Sequence, residues 1–175
     1  MTFPILRATG AALLVAGMTT GALAQVSTNR VAANTDWSVF VEDSPKECWG
    51  VSAPKETVNT KDGKAVSVRR GDILLFVSFR GGKTTGEVSF TGGYPFAGGS
   101  TVAMEVGSTK FDLFTDGEWA WSGSPEDDAK IVAALRGGSA ATLTARSARG
   151  TQTKDTFSLL GITAALDEAA KRCAN

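Results

Sequence analysis

The stretch TVAMEVGSTKFDLFTDGEWAW (residues 101–121) decides the fold class. Val102, Met104 and Val106 alternate with Ala103 and Glu105, and Gly107-Ser108 then offers a two-residue turn. Phe111 and Leu113 alternate with Lys110 and Asp112. Asp116-Gly117 is a second turn signal, after which Trp119 and Trp121 resume the alternation. Apolar residues at period two, broken by short Gly-bearing turns, mark antiparallel strands. The stretch predicts a three-stranded meander with one aromatic-rich face.

The same grammar extends in both directions. Upstream, Trp37, Val39 and Val41 alternate with Ser38, Phe40 and Glu42, and a strand through Cys48, Trp49 and Val51 follows Ser44-Pro45. Asp62-Gly63 marks a turn. Residues 73–79 (ILLFVSF) are short, β-branched and aromatic, which favours a buried strand over a helix. Residues 87–90 start another. Downstream, Ser124-Pro125-Glu126-Asp127 opens a helix: a capping Ser, Pro at the first helical position and acids in the first turn. Ile131 and Leu135 share one face, Glu126 and Lys130 are spaced as an i,i+4 pair, and Gly137-Gly138 ends the helix. Strands over 142–146 and 156–160 flank a turn at Arg149-Gly150-Thr151. The chain closes on a helix whose apolar stripe is Ile162, Leu166, Ala169 and Cys173, with Asp167–Lys171 and Glu168–Arg172 spaced as i,i+4 pairs on its other side. The expectation is a mainly β fold, a sandwich or barrel of eight to ten antiparallel strands, with two short α-helices, one of them C-terminal.

The N-terminus reads as an address. Arg7 precedes an uncharged, Ala- and Leu-rich run over residues 8–23, which closes on Ala22-Leu23-Ala24. A short basic region, an apolar region and a small-residue site predict a signal peptide over residues 1–24. A polar, aperiodic lead-in is expected over 25–35 and a single domain over 36–175. No later apolar run is long enough to span a membrane. With 18 basic and 18 acidic residues, the chain carries no net charge and no global pull toward nucleic acid. It has no histidine at all. That removes Ser-His-Asp and Cys-His nucleophile systems and histidine metal ligation together.

Cys48 and Cys173 are the two cysteines. Two distant thiols without histidine do not make up a metal-ligand set, and a reactive thiol ordinarily needs a base or an electropositive setting. An exported chain with an even cysteine count points to a disulfide. A free thiol or an intermolecular bond is the alternative.

Several segments, taken in order, resemble a known family. Cys48-Trp49 follows an early Trp-bearing strand. GYPFAGGS (93–100), EWAW (118–121), DDAKIVAAL (127–135) and ARGTQTKDTFSLLGITAAL (148–166) come next, and a cysteine stands near the end. This pattern resembles the invasion-associated locus B family of proteobacterial secreted proteins. The resemblance covers residues 37–173 and is most specific in the strand-glycine-helix ending. It implies a periplasmic or cell-envelope protein with a paired cysteine. It assigns no catalytic residues, and the family name alone does not imply virulence.

Other segments can carry function or simply fold. The glycine-bracketed loop around Tyr94 and Phe96 can present an aromatic pair to a ligand. Phe96 is expected to close one end of the β core. Trp119 and Trp121 share a strand face and can stack on a sugar or peptide, but are expected to form the meander's core face. Glu126, Asp127 and Asp128 are expected to serve the helix dipole rather than hydrolysis or calcium. Arg69, Arg70, Arg80 and Lys83 form a sequence-local basic cluster at strand ends, suited to an anionic glycan or headgroup or simply to solvent. No catalytic residue, metal site or cofactor is expected. The functional expectation is a periplasmic, non-enzymatic module that binds an unidentified protein or envelope component, with outer-membrane association or secretion as the alternatives. The alternatives are a carboxylate-dependent hydrolase of envelope glycan, which needs two converging acids, and a small-ligand carrier, which needs an apolar cavity.

Overall fold

The computed structural model describes residues 29–81 and 85–174. The expected signal peptide, residues 25–28 of the lead-in, and Gly82 and Lys83 lie outside those residues. The strands are β1 (Arg30–Asn34), β2 (Trp37–Asp43), β3 (Lys46–Ser52), β4 (Glu56–Lys61), β5 (Lys64–Ala65), β6 (Leu74–Arg80), β7 (Glu87–Thr91), β8 (Thr101–Val106), β9 (Thr109–Asp116), β10 (Trp119–Trp121), β11 (Ala140–Arg146) and β12 (Gln152–Ser158). The helices are α1 (Pro125–Gly137) and α2 (Ile162–Cys173). The fold is mainly β, as the alternation predicts.

The strands join in one antiparallel sheet, ordered β1-β2-β3-β6-β7-β10-β9-β8-β11-β12-β4-β5. The predicted meander is β8-β9-β10. Its two-residue turns place Gly107 and Gly117 at positive φ, as tight right-twisted hairpins require. Three strands exceed what periodicity revealed. β1 lies inside the polar stretch expected to be a lead-in, and β4 and β5 carry mostly exposed polar side chains. Backbone pairing with a neighbouring strand holds them, and that leaves little trace in side-chain pattern.

The sheet curls over to face itself. β7 and β12 stand five places apart, about 24 Å in a flat sheet. Yet the rings of Phe90 and Phe157 meet edge-to-face, with centroids 6.1 Å apart. One hydrophobic core therefore takes its residues from strands along the whole sheet: Val39, Leu75, Phe90, Met104, Leu113 and Leu143 are all completely buried.

α2 roofs the inner face of β2, β3 and β6 with its buried stripe Ile162, Ala165, Leu166, Ala169 and Cys173. Gly50 makes room for it, since a Cβ there would stand 3.0 Å from Leu166. Gly161 turns the chain from β12 into α2 at φ 91°, a left-handed conformation, with the Asn34 carbonyl packed where a side chain would be. Cys173 reaches Cys48 on β3, and the two are disulfide-bonded across 125 residues with Cα atoms 5.7 Å apart. Of the two ion pairs expected on α2, Glu168–Arg172 forms. Asp167 instead takes Arg136 of α1, tying the two helices together.

α1 starts as the sequence predicts: the Ser124 hydroxyl accepts from the Asp127 amide. Its first-turn acids divide their work. Asp127, rather than Glu126, pairs with Lys130. Asp128 is buried and accepts the Val88 amide at 2.8 Å, which fastens α1 to β7. Two of these acids thus do more than complement a helix dipole.

Candidate functional site: an open aromatic sheet face

The core takes only one face of each strand. In β2, β3 and β6 the inward residues are Val39 and Val41, Cys48 and Gly50, and Leu75 and Val77. The opposite parity places Phe40, Trp49 and Phe76 outward. In β10 the inward residue is Ala120, so Trp119 and Trp121 also face outward. This corrects the expectation that the two tryptophans form the meander's core. Ala120 lies opposite the fully buried Phe90 of β7, whose bulk fills the interior that a tryptophan would need. Phe114 of β9 completes the outer row.

Strand registry arranges these rings. Phe40 faces Trp49 across β2–β3, stacked at 5.7 Å and 9°. Trp121 faces Phe114 across β10–β9 at 5.5 Å, and Trp119 and Trp121 stack at 6.3 Å. Between the two groups, β7 shows Ser89 and Thr91 on this face, with Glu87 farther along the same strand. Phe76 of β6 and Trp119 of β10 lean over these small side chains and meet at 5.7 Å. Trp119 is 38 % exposed and Phe114 49 %; the other rings are half-buried. Aromatic side chains therefore come from five of six neighbouring strands, β2, β3, β6, β10 and β9, on a face that neither α1 nor α2 covers. Phe40, Trp49, Phe76 and Trp119 floor a trough of about 780 Å³ bounded by Asp36, Asp72 and Glu118.

The acids near the trough differ in how they are held. Asp36 pairs with Lys55, whose hydrogen bond keeps its pKa below the ordinary carboxylate value. Glu47 and Glu87 both hold Arg80. Asp72 and Glu118 are exposed and make no ion pair among the described residues.

Tyr94 and Phe96 sit apart from this row. Phe96 is 6 % exposed and packs on Phe90 at 6.1 Å, closing an end of the core. Tyr94 is half-buried, its hydroxyl 2.5 Å from that of Thr153 and its ring under the Arg70 guanidinium at 5.0 Å. Burial raises its pKa, with Thr153 and Arg70 opposing. It lines a second concavity of about 490 Å³ with Arg69 and Arg149; Gly93 and Glu118 border both concavities.

The sequence-local basic cluster does not persist in three dimensions. Arg70 turns inward, with 6 % of its side chain exposed, and pairs bidentately with the fully buried Asp155. Arg80 is neutralised by Glu47 and Glu87, and Lys83 lies outside the described residues. Among the described residues, no group of three His, Cys, Asp or Glu side chains could hold a metal ion, and every buried side-chain nitrogen or oxygen has a hydrogen-bond partner. No helix among them is long and apolar enough to cross a membrane.

Comparison with protein families gives a match to the invasion associated locus B model over residues 37–170. The chain belongs to the invasion associated locus B family. No curated protein and no solved structure matches it. The matched span of this family member runs from the start of β2 almost to the end of α2. It therefore contains the whole aromatic face, and the disulfide joins Cys48 inside it to Cys173 just beyond it. The family and the bridge together point to an extracytoplasmic protein.

Proposed function

We propose that this family member is a periplasmic, non-enzymatic binding module of the cell envelope, and that the open aromatic face is its contact surface. One observation carries the proposal: six aromatic side chains share a face of the sheet that α1 and α2 leave bare. Contiguous exposed apolar surface of this kind marks interaction sites in soluble domains. The export signal expected over residues 1–24 and the long-range disulfide support the compartment. The family is named for invasion and not for a reaction, which supports a binding role.

The test has two arms. N-terminal sequencing of the protein recovered from the periplasm should begin at Gln25, and the recovered protein should carry no free thiol. A photo-crosslinking residue at Trp119 should form adducts in intact cells, while one at Val58, exposed on β4 four strands beyond β9, should not. Recovery in the cytoplasm with two free thiols would overturn the compartment. Equal crosslinking from both positions would overturn the contact surface.

A further inference from the structure

Resting on that reading of the open face, we propose that its occupant is a basic, extended polypeptide segment, with lysine or arginine side chains seated over the tryptophan and phenylalanine rings and answered by the acids around them. Charge complementarity selects this partner. Of the acids bounding the main trough, Asp36 is held by Lys55, whereas Asp72 and Glu118 are exposed and make no ion pair among the described residues. Farther along the face, Asp112 and Asp116 project from β9 beside Phe114; both are exposed and without an ion pair among the described residues. The bases on this face are already held, Arg80 by Glu47 and Glu87 and Lys110 of β9 by Glu105. A cation arriving at this surface therefore meets uncompensated negative charge and electron-rich ring faces together. Tryptophan provides the strongest ring face for a cation. A nucleic acid or an anionic lipid headgroup would be repelled.

The dimensions fit an extended chain. Six adjoining strands span about 24 Å, which a strand-like segment crosses in about seven residues. Side chains on one side of such a segment recur every ~6.6 Å. The ring pairs that meet across strands, Phe40–Trp49, Phe76–Trp119 and Phe114–Trp121, lie 5.5 to 5.7 Å apart. Alternate basic residues can thus follow each of these pairs.

The probe is a peptide of about eight residues alternating Lys and Ser, titrated into the full mature protein with its bridge intact. Tryptophan fluorescence and calorimetry follow binding. A Glu-Ser peptide of equal length and a neutral N-acetylglucosamine hexamer are the comparisons. The Lys peptide should bind, and raising salt from about 0.05 to about 0.5 M should weaken it about tenfold, as expected of exposed charge pairs. Trp119→Ala should weaken it about fivefold. Asp72→Asn with Glu118→Gln should do the same; these are exposed side chains whose loss leaves the fold intact, so this variant stays informative if Trp119→Ala unfolds.

Absence of Lys-peptide binding overturns the proposal. So does binding that neither variant changes, because it then occurs elsewhere. Salt-independent binding of the sugar hexamer at this face also overturns it, while leaving the face as a contact surface. Failure of both probes together with absence of crosslinks from Trp119 removes the contact surface itself.

Discussion

Replacing Asp155 by Asn should cost about 3–5 kcal/mol of folding stability. Asp155 has no exposed side-chain surface, and Arg70 retains only 6 %. Two nitrogen–oxygen contacts of 2.8 and 2.6 Å join them in the parallel geometry that makes arginine–carboxylate pairs strong. The rest of the guanidinium is spent on the Gly92 carbonyl at 2.9 Å, Asn59 at 3.3 Å and the Tyr94 ring. Loss of the carboxylate therefore leaves a cation among neutral acceptors, away from the water that would solvate it. That desolvated charge, rather than the missing contact, supplies most of the cost. In a domain of this size the loss corresponds to a drop in Tm of about 6–20 °C. Urea unfolding followed by tryptophan fluorescence should show a lower midpoint with an unchanged m-value. The double variant Arg70→Met, Asp155→Leu removes both charges. It should recover at least about 2 kcal/mol relative to the sum of the two single losses, because it strands neither ion. An Asp155→Asn loss below about 1 kcal/mol, or a double variant as unstable as the sum of the singles, would refute the reasoning.

Three further outcomes are expected. Cys48→Ala with Cys173→Ala should lower stability by up to about 5 kcal/mol, the chain-entropy value for a bridge across 125 residues; an unchanged melting temperature under oxidising conditions would remove the clasp role. Gly161→Ala should cost on the order of 3 kcal/mol or more, because the new Cβ meets the Asn34 carbonyl in a left-handed backbone; a near-normal urea midpoint would show that the turn can relax. Burial raises the Asp128 pKa against the opposing Val88 hydrogen bond, so its contribution to stability is complete below the unfolded value of about 3.9 and declines as pH rises through the folded one. Asp128→Asn keeps an acceptor for Val88. Its stability relative to wild type should therefore rise from pH 4 toward neutrality, and a pH-independent difference between the two would contradict this.

The legible parts of the chain were those governed by local rules. Ser124-Pro125 fixed where α1 begins, the spacing of Ile162, Leu166, Ala169 and Cys173 fixed the buried stripe of α2, and the Gly-bearing turns fixed the meander. Phe40 and Trp49 carried a signal that was present and unused. Each sits at the parity opposite the inward Val39 and Cys48, where a polar residue is expected on a solvated face. Arg70 and Asp155, 85 residues apart, left no local sign of their pairing.

Local sequence pattern sets the antiparallel strands, the residues that share a strand face, the course of both helices and the projection of Cys173 from the apolar side of the last one. These follow from backbone periodicity and capping, which act over a few residues. Which face of each strand is covered depends on packing between residues far apart in the chain. Alternation assigns Trp119 and Trp121 to one side and Ala120 to the other, but it does not say which side meets the core. The choice fell to Ala120, because the curl of the sheet and the bulk of Phe90 fill the space behind β10, and α2 roofs only the inner face of β2, β3 and β6. Burial of one face by distant residues left the aromatic face open.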